Sequence, residues 1–229
     1  MSCLLLPALN SAKRKAKRIN CVANLHQIGV ALGIYEIDDH YYPMATAGDG
    51  LGNWQRALRP AAGNDVFHCP QLASASDQFL QFFPSNTFIF PHYGYNSFGA
   101  VQRNPPPQNL GLGGNFVWDD SGGGSYMPEH ETLVCHPDQM VAVGDSPTFV
   151  RPPNSSLSTI TPDDPIYISY PFILQPTGYY GVGNWHDDDA NMVFCDGHTE
   201  FKKQSIWMAA DASSKQLWNC DNLSHPECW

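Results

Sequence analysis

The sequence predicts an α+β fold in which a long N-terminal helix is packed on an antiparallel β-sheet whose strands are joined by long loops. Three observations support this class. Apolar residues recur at helical spacing near the N-terminus, short β-type runs follow, and 19 glycines and 19 prolines among 229 residues predict frequent turns. We divide the chain into a helical segment, 1–40, and a β-rich head, 41–229.

The helical segment is indicated by apolar residues three or four positions apart, which form one apolar stripe along a helix. The stripe consists of Ile19, Val22, Leu25, Ile28, Leu32 and Tyr35. We expect this part of the helix to pack on its own domain. An apolar stub precedes it, in which Pro7 suits a first helical turn. The stub is too short to cross a bilayer, which takes about 20 residues.

Short strands, turns and long loops make up the predicted head. A short helix is expected around 54–58, and the strand candidates are 87–90, 93–96, 140–143 and 191–195. Asp196 and Gly197 are residue types of a tight turn, so 191–195 and 199–201 should form a hairpin. The stretches 103–125 and 151–178, rich in turn-forming residues, are predicted to be long loops.

The charges are unevenly distributed along the chain, whose net charge is −10. Five of the 12 basic residues lie within 13–18, and no acidic residue precedes Glu36. These five are Lys13, Arg14, Lys15, Lys17 and Arg18. The acidic remainder argues against nucleic-acid binding, which requires a positive field. It favours binding of cations, or contact with the basic segment of another copy.

Several motifs together resemble a known family. Residues 5–9 (LLPAL), a basic stretch, 18–21 (RINC) and 24–29 (NLHQIG) resemble the N-terminal helix of type IV pilins and type II secretion pseudopilins. His186, followed after nine residues by Asp196 and Gly197, resembles a C-terminal signature of planctomycete-type pseudopilin-like proteins. The likeness covers about 3–43 and 179–229, with shorter matches between them at 69–70 and 93–96.

The resemblance implies a pilin-like fold and a non-enzymatic subunit of a type II secretion or type IV pilus-like filament, in the periplasm or at the cell surface. In the family a leader and an apolar segment precede the LLPAL-type motif, so we expect a membrane-anchoring segment before residue 1. Assembly with copies of the chain or other pseudopilins would use the helix. The expected assembly residues are Lys13, Arg14, Lys15, Lys17, Arg18, Ile19, Val22, Leu25, Ile28 and Leu32.

A cation site is a second expectation, because adjacent carboxylates repel one another and Ca²⁺ relieves the repulsion. Its candidate ligands are His186, Asp187, Asp188, Asp189, Asp196 and His198. The resemblance makes a structural Ca²⁺ near the last hairpin plausible for this family. A solvated acidic loop without a metal is the simpler interpretation of the three aspartates.

Two further function classes stay open. His186, Asp196, His198 and Asp145 would suit Zn²⁺ or Mn²⁺ in a metal-dependent hydrolase, if the strands at 140–144 and 191–195 are neighbours. Alternatively, the chain is a monomeric surface module that binds glycans. That module would use the loop aromatics Trp118, Tyr126, Tyr179 and Tyr180.

The seven cysteines favour an oxidising compartment. Cys3 lies in the apolar stub, and the other six allow 15 pairings that the sequence does not distinguish. We predict a disulfide between Cys220 and Cys228, since it would close a small loop. Cys195 lies within an apolar strand and is expected to be a buried thiol.

Overall fold

The structure is a computed structural model that describes residues 5–45, 53–71, 92–102, 108–118, 124–146, 174 and 181–228. It is an α+β fold with a long N-terminal helix and a four-stranded antiparallel sheet. The predicted strand at 87–90 and most of the predicted loop at 151–178 lie outside the described residues.

The N-terminal helix, α1, spans Leu5–Asp39, close to the predicted 1–40. Its second half lies on the head and buries Leu25, Ile28 and Leu32 completely. Its first half, residues 7–20, is mostly exposed. The prediction placed Ile19 on the same apolar stripe as Leu25, but Ile19 is 65% exposed. It precedes Leu25 by six residues, which corresponds to a rotation of about 240° around the helix axis.

Of the eight strands within the described residues, four form the main sheet: Tyr93–Tyr95 (β1), Val141–Asp145 (β6), Asp189–Phe194 (β7) and Thr199–Lys203 (β8). They lie in the order β1, β6, β7, β8, each antiparallel to its neighbours. The predicted strands at 93–96, 140–143 and 191–195 are therefore confirmed. So is the hairpin turn, in which Gly197 has φ of 85°, a conformation that favours glycine.

Short elements complete the described structure. The second helix, α2, spans Asn53–Ala62, and α3 (Gln204–Trp207) and α4 (Ala212–Lys215) follow β8. Four small strands form two separate pairs: Val101–Gln102 (β2) with Gln108–Asn109 (β3), and Asn115–Trp118 (β4) with Gly124–Met127 (β5). The prediction of one long loop over 103–125 is wrong, since β4 and β5 pair over four positions.

Both faces of the main sheet are covered. One face packs against α1 and α2 through a large apolar cluster that includes Leu25, Trp54, Tyr95 and Val193. The other face packs against the C-terminal segment through Met192, Phe194, Trp207 and Trp218, among others. Alternation along β7 therefore directs Ala190, Met192 and Phe194 to one face, and Asn191 and Val193 to the face that meets α1.

Candidate functional site

A buried cluster of sulfur and polar groups lies where α1 meets the sheet. Cys21 of α1 is joined by a disulfide to Cys69, which follows α2 and is 48 residues further along the chain. His186 lies against this disulfide, with its Nε2 atom 3.8 Å from Cys69 Sγ. All three residues are buried. One potential ligand atom from each lies within 4.8 Å of the others.

A buried carboxylate completes the cluster. Asp145, at the end of β6, is fully buried, and its Oδ2 atom is 3.5 Å from His186 Nε2. The same oxygen accepts hydrogen bonds from the backbone N–H of Asn191 (2.7 Å) and from its side-chain amide (2.8 Å). The other oxygen, Oδ1, has no hydrogen-bond partner in the described structure. Burying an ionised carboxylate with one oxygen unsatisfied is costly.

His92 stabilises the position of Cys69 in the cluster. Its Nδ1 atom accepts a hydrogen bond of 2.8 Å from the backbone N–H of Cys69. Burial lowers the pKa of His92 to about 4, with a further lowering from the neighbouring His68. The imidazole is therefore neutral near pH 7, as its acceptor role requires. Tyr93 fixes the helix side of the site, because its hydroxyl donates to the carbonyl of Cys21 (3.3 Å).

A small surface pocket adjoins this cluster at His186. His186 and Trp185 line it together with three basic residues of α1, Arg14, Lys15 and Arg18. Trp185 is held by a hydrogen bond from its indole N–H to the carbonyl of Ser146 (3.0 Å).

The six predicted cation ligands do not form one site. His186 precedes β7, whereas Asp196 and His198 lie at the hairpin turn beyond its other end, about 20 Å away for a six-residue strand. Asp196 and His198 instead form an exposed pair with each other. The condition set for the hydrolase site, that β6 lies beside β7, is met, but among the candidate ligands it brings Asp145 only to His186.

The three adjacent aspartates are largely matched by basic groups of the same chain. Asp187 lies 3.5 Å from Arg14, and Asp189 lies 2.9 Å from Lys203. These exposed contacts offset part of the repulsion between the carboxylates. Arg14, which was predicted to take part in assembly, therefore contacts an acidic side chain of its own head.

The predicted Cys220–Cys228 disulfide is wrong, because neither cysteine is disulfide-bonded in the structure. The chain between them turns at Asn222 and His225, both with positive φ, and Cys228 Sγ lies against the Glu227 carboxylate at 3.9 Å. Sequence proximity therefore does not bring the two sulfurs together. Cys195 is a buried thiol, as expected, and burial raises its pKa well above the ordinary value.

The predicted assembly residues divide into two groups. Leu25, Ile28 and Leu32 are buried in the head's own core, so they are not available to another subunit, and this part of the prediction is wrong. Val22 is half-buried. The basic residues and Ile19 remain at least partly accessible. Arg18 is stacked on the Phe201 ring at 3.8 Å, which ties the exposed half of α1 to β8.

A second apolar stripe, which the sequence reasoning missed, lies on the opposite side of α1. At about 100° per residue its members fall within about 40° of Val30. We call it the outer stripe, and it consists of Ala12, Ala16, Ile19, Ala23, Val30, Ile34 and Ile37. Its large residues are 45–74% exposed. The signal was present in the sequence, but the predicted stripe mixed Ile19 with residues of the buried side.

The disulfide cluster was also missed as a site. Its sequence signals were the position of Cys21, four residues before Leu25 on the buried side of α1, and the polar Asn191 within an apolar strand. Of the predicted glycan-binding aromatics, residues 179 and 180 and the side chains of Trp118 and Tyr126 lie outside the described residues.

Within the described residues, no helix combines the length and the apolar character needed to span a membrane. Comparisons of the chain with protein-family models, with curated proteins and with solved structures found no match.

Proposed function

We propose that this chain is a non-enzymatic, pilin-like subunit that assembles through α1 with copies of itself or related subunits into a filament of the type II secretion or type IV pilus kind. The outer stripe is the observation that carries the proposal. It exposes large aliphatic side chains, Ile19 at 65% and Ile37 at 74%, on a helix whose other side is already buried. Exposed apolar side chains concentrated on one side of a helix favour a protein–protein contact.

The length of the outer stripe suits a helix-to-helix contact. From Ala12 to Ile37 it extends about 38 Å along the axis at 1.5 Å per residue. The alanines in its first half permit close approach of another helix, and the isoleucines in its second half supply apolar area. Burial of that area is worth roughly 25 cal/mol per Å² before the costs of association.

The charges of α1 favour a second copy as the occupant of the stripe. The basic residues lie within 13–18, and the acidic residues Glu36, Asp38 and Asp39 lie at the other end of the same helix. The two groups are about 30 Å apart along the axis. A neighbouring α1 shifted by that distance places basic beside acidic side chains. A shift repeated from copy to copy is a head-to-tail contact, which produces an open filament.

The assignment to a filament of the type II secretion or type IV pilus kind rests on the resemblance of the N-terminal motifs and of the C-terminal signature. It implies a periplasmic or cell-surface location. The described architecture, a long helix lying on an antiparallel sheet, is compatible with this assignment.

Sedimentation velocity of the purified chain over a range of concentrations tests the proposal. We expect concentration-dependent association that weakens as salt is raised, because exposed charges are screened. Ile37→Glu should shift association to at least tenfold higher concentration. Ile206→Glu is the matched control, since Ile206 is 50% exposed but lies in α3, away from α1.

Two outcomes would overturn the proposal. One is a wild-type chain that stays monomeric at all concentrations and salt conditions. The other is equal weakening of association by Ile37→Glu and Ile206→Glu, which would show that the outer stripe is not the contact surface.

A further inference from the structure

We propose that Cys21, Cys69, His186 and Asp145 form a Zn²⁺ site that becomes available when the Cys21–Cys69 disulfide is reduced. Two thiolates, one imidazole and one carboxylate constitute a four-ligand set that Zn²⁺ accepts in tetrahedral geometry. The inference is independent of the filament proposal, because it concerns the junction between α1 and the head.

Two of the ligand-to-ligand distances already approach those of a tetrahedral zinc site. With ordinary Zn–S, Zn–N and Zn–O bond lengths, the tetrahedral edges are about 3.6 Å for S to N, 3.4 Å for N to O and 3.8 Å for S to S. In the structure His186 Nε2 is 3.8 Å from Cys69 Sγ and 3.5 Å from Asp145 Oδ2. Once the disulfide opens, the two sulfurs must separate and the Asp145 carboxylate must approach them, because only the ligand atoms of Cys21, Cys69 and His186 lie within 4.8 Å of one another.

Asp145 supplies an independent reason to expect a cation here. It is fully buried, and its Oδ1 atom has no hydrogen-bond partner in the described structure. A divalent cation would compensate this carboxylate. Asn191 holds the Oδ2 atom through two hydrogen bonds and so orients the ligand, as outer-shell partners do in metal sites.

The redox chemistry balances with a dithiol reductant. Two electrons and two protons pass from the dithiol to the disulfide, which gives two protein thiols and the oxidised, disulfide form of the reductant. Binding of Zn²⁺ then displaces the two thiol protons, because the thiolates are the ligands. Reoxidation by a disulfide oxidant, which takes up two electrons and two protons and becomes a dithiol, would expel the metal and restore the protein disulfide. Either linkage ties α1 to the segment after α2.

The choice of zinc follows from the ligand types. Thiolate and imidazole together select Zn²⁺ over Ca²⁺ or Mg²⁺, which take oxygen ligands. A second group of three potential ligands in the described residues, His225, Glu227 and Cys228, lies in the C-terminal tail and is less buried. It provides a comparison site for the experiment.

Metal titration of the full chain in its oxidised and phosphine-reduced forms tests the proposal. The phosphine is itself oxidised to the phosphine oxide as the disulfide is reduced. We expect one Zn²⁺ per chain in the reduced form, measured by competition with a chromophoric chelator, and at least tenfold weaker binding in the oxidised form. Co²⁺ in place of Zn²⁺ should give thiolate-to-cobalt charge-transfer bands and intense tetrahedral d–d bands.

Variants locate the bound metal. His186→Ala and Asp145→Asn should each weaken binding by at least tenfold, and Cys21→Ser with Cys69→Ser should abolish the charge-transfer bands. His225→Ala is the control and should leave binding unchanged. Circular dichroism of each variant verifies folding.

The proposal is overturned if the reduced wild-type chain binds no stoichiometric metal, or if the oxidised form binds it equally well. Both outcomes are measured on the wild-type chain, so they test the proposal even if a substitution prevents folding. Loss of binding in His225→Ala, with retention in His186→Ala, would move the site to the C-terminal tail and also overturn the proposal.

Discussion

His92 links the disulfide site to the pH stability of the protein. Its imidazole is buried, accepts a hydrogen bond from Cys69 N–H, and has a pKa lowered to about 4 by burial. In the unfolded chain the pKa returns to about 6.5. Between these values the unfolded state binds the additional proton, so the free energy of unfolding must fall as the pH falls through this window.

We expect His92 to cost about 3 kcal/mol of stability between pH 6.5 and pH 4, since each pKa unit corresponds to about 1.4 kcal/mol. Urea unfolding at several pH values measures this effect. His92→Asn retains a hydrogen-bond acceptor near the Nδ1 position but does not titrate, so it should flatten the acid limb. The exposed His136→Asn is the control. An equally steep acid limb in His92→Asn would contradict this assignment.

Residue-level sequence reasoning succeeded where local chemistry decides the role. The expectations of a tight turn at Gly197 and of a buried thiol at Cys195 are both confirmed. The reasoning failed where the role depends on distant partners. The disulfide joins residues 48 apart, and His186 meets Asp145 only because β6 and β7 are neighbours. No local pattern around Cys69 specifies Cys21 as its partner.

At the scale of elements, α1 depends on close contact with the β7–β8 hairpin. A Cβ atom on Gly29 would be 2.7 Å from Val193 Cγ2 and 3.1 Å from the Cα atom of Gly197. A Cβ atom on Gly33, one turn later, would have nothing within 4 Å. Gly29 is therefore packed closely against the hairpin, whereas Gly33 has open space beside it.

Alanine at these two positions should have opposite effects. Gly33→Ala should raise the free energy of unfolding by about 1 kcal/mol, which is the helix-propensity difference. Gly29→Ala should lower it by about 1 kcal/mol, because overpacking against buried Val193 and the hairpin backbone outweighs the propensity gain. Denaturant unfolding of both variants measures the difference. Equal stabilisation by both would show that α1 does not pack closely on the hairpin.

Helices and strands with a strong apolar periodicity could be predicted from the sequence, whereas strands defined only by their pairing could not. The helix α1 and strands β6 and β7 have clear apolar patterns and match their predicted positions within a few residues. Strands β4 and β5 are short, and glycine-rich stretches at 111–114 and 122–124 lie directly beside them, a composition that predicts a loop. They are strands because they pair with each other. Pairing partners carry no local sequence signal.

For the whole molecule, the decisive feature is a helix that is only half covered. Residues of the buried side of α1 form the core with the sheet, while residues 7–20 extend along the head mainly through the contacts of Arg14 and Arg18. A helical segment of this length with few tertiary contacts is marginally stable in water. Association through the outer stripe would supply the missing contacts.

Amide hydrogen exchange of the full chain at increasing protein concentration tests this central claim most directly. In dilute solution residues 7–20 should exchange much faster than residues 25–32, which are held by the core. At high concentration we expect protection of 7–20 to rise at least tenfold while that of 25–32 changes little. Protection of 7–20 that stays the same at every concentration would contradict assembly through α1.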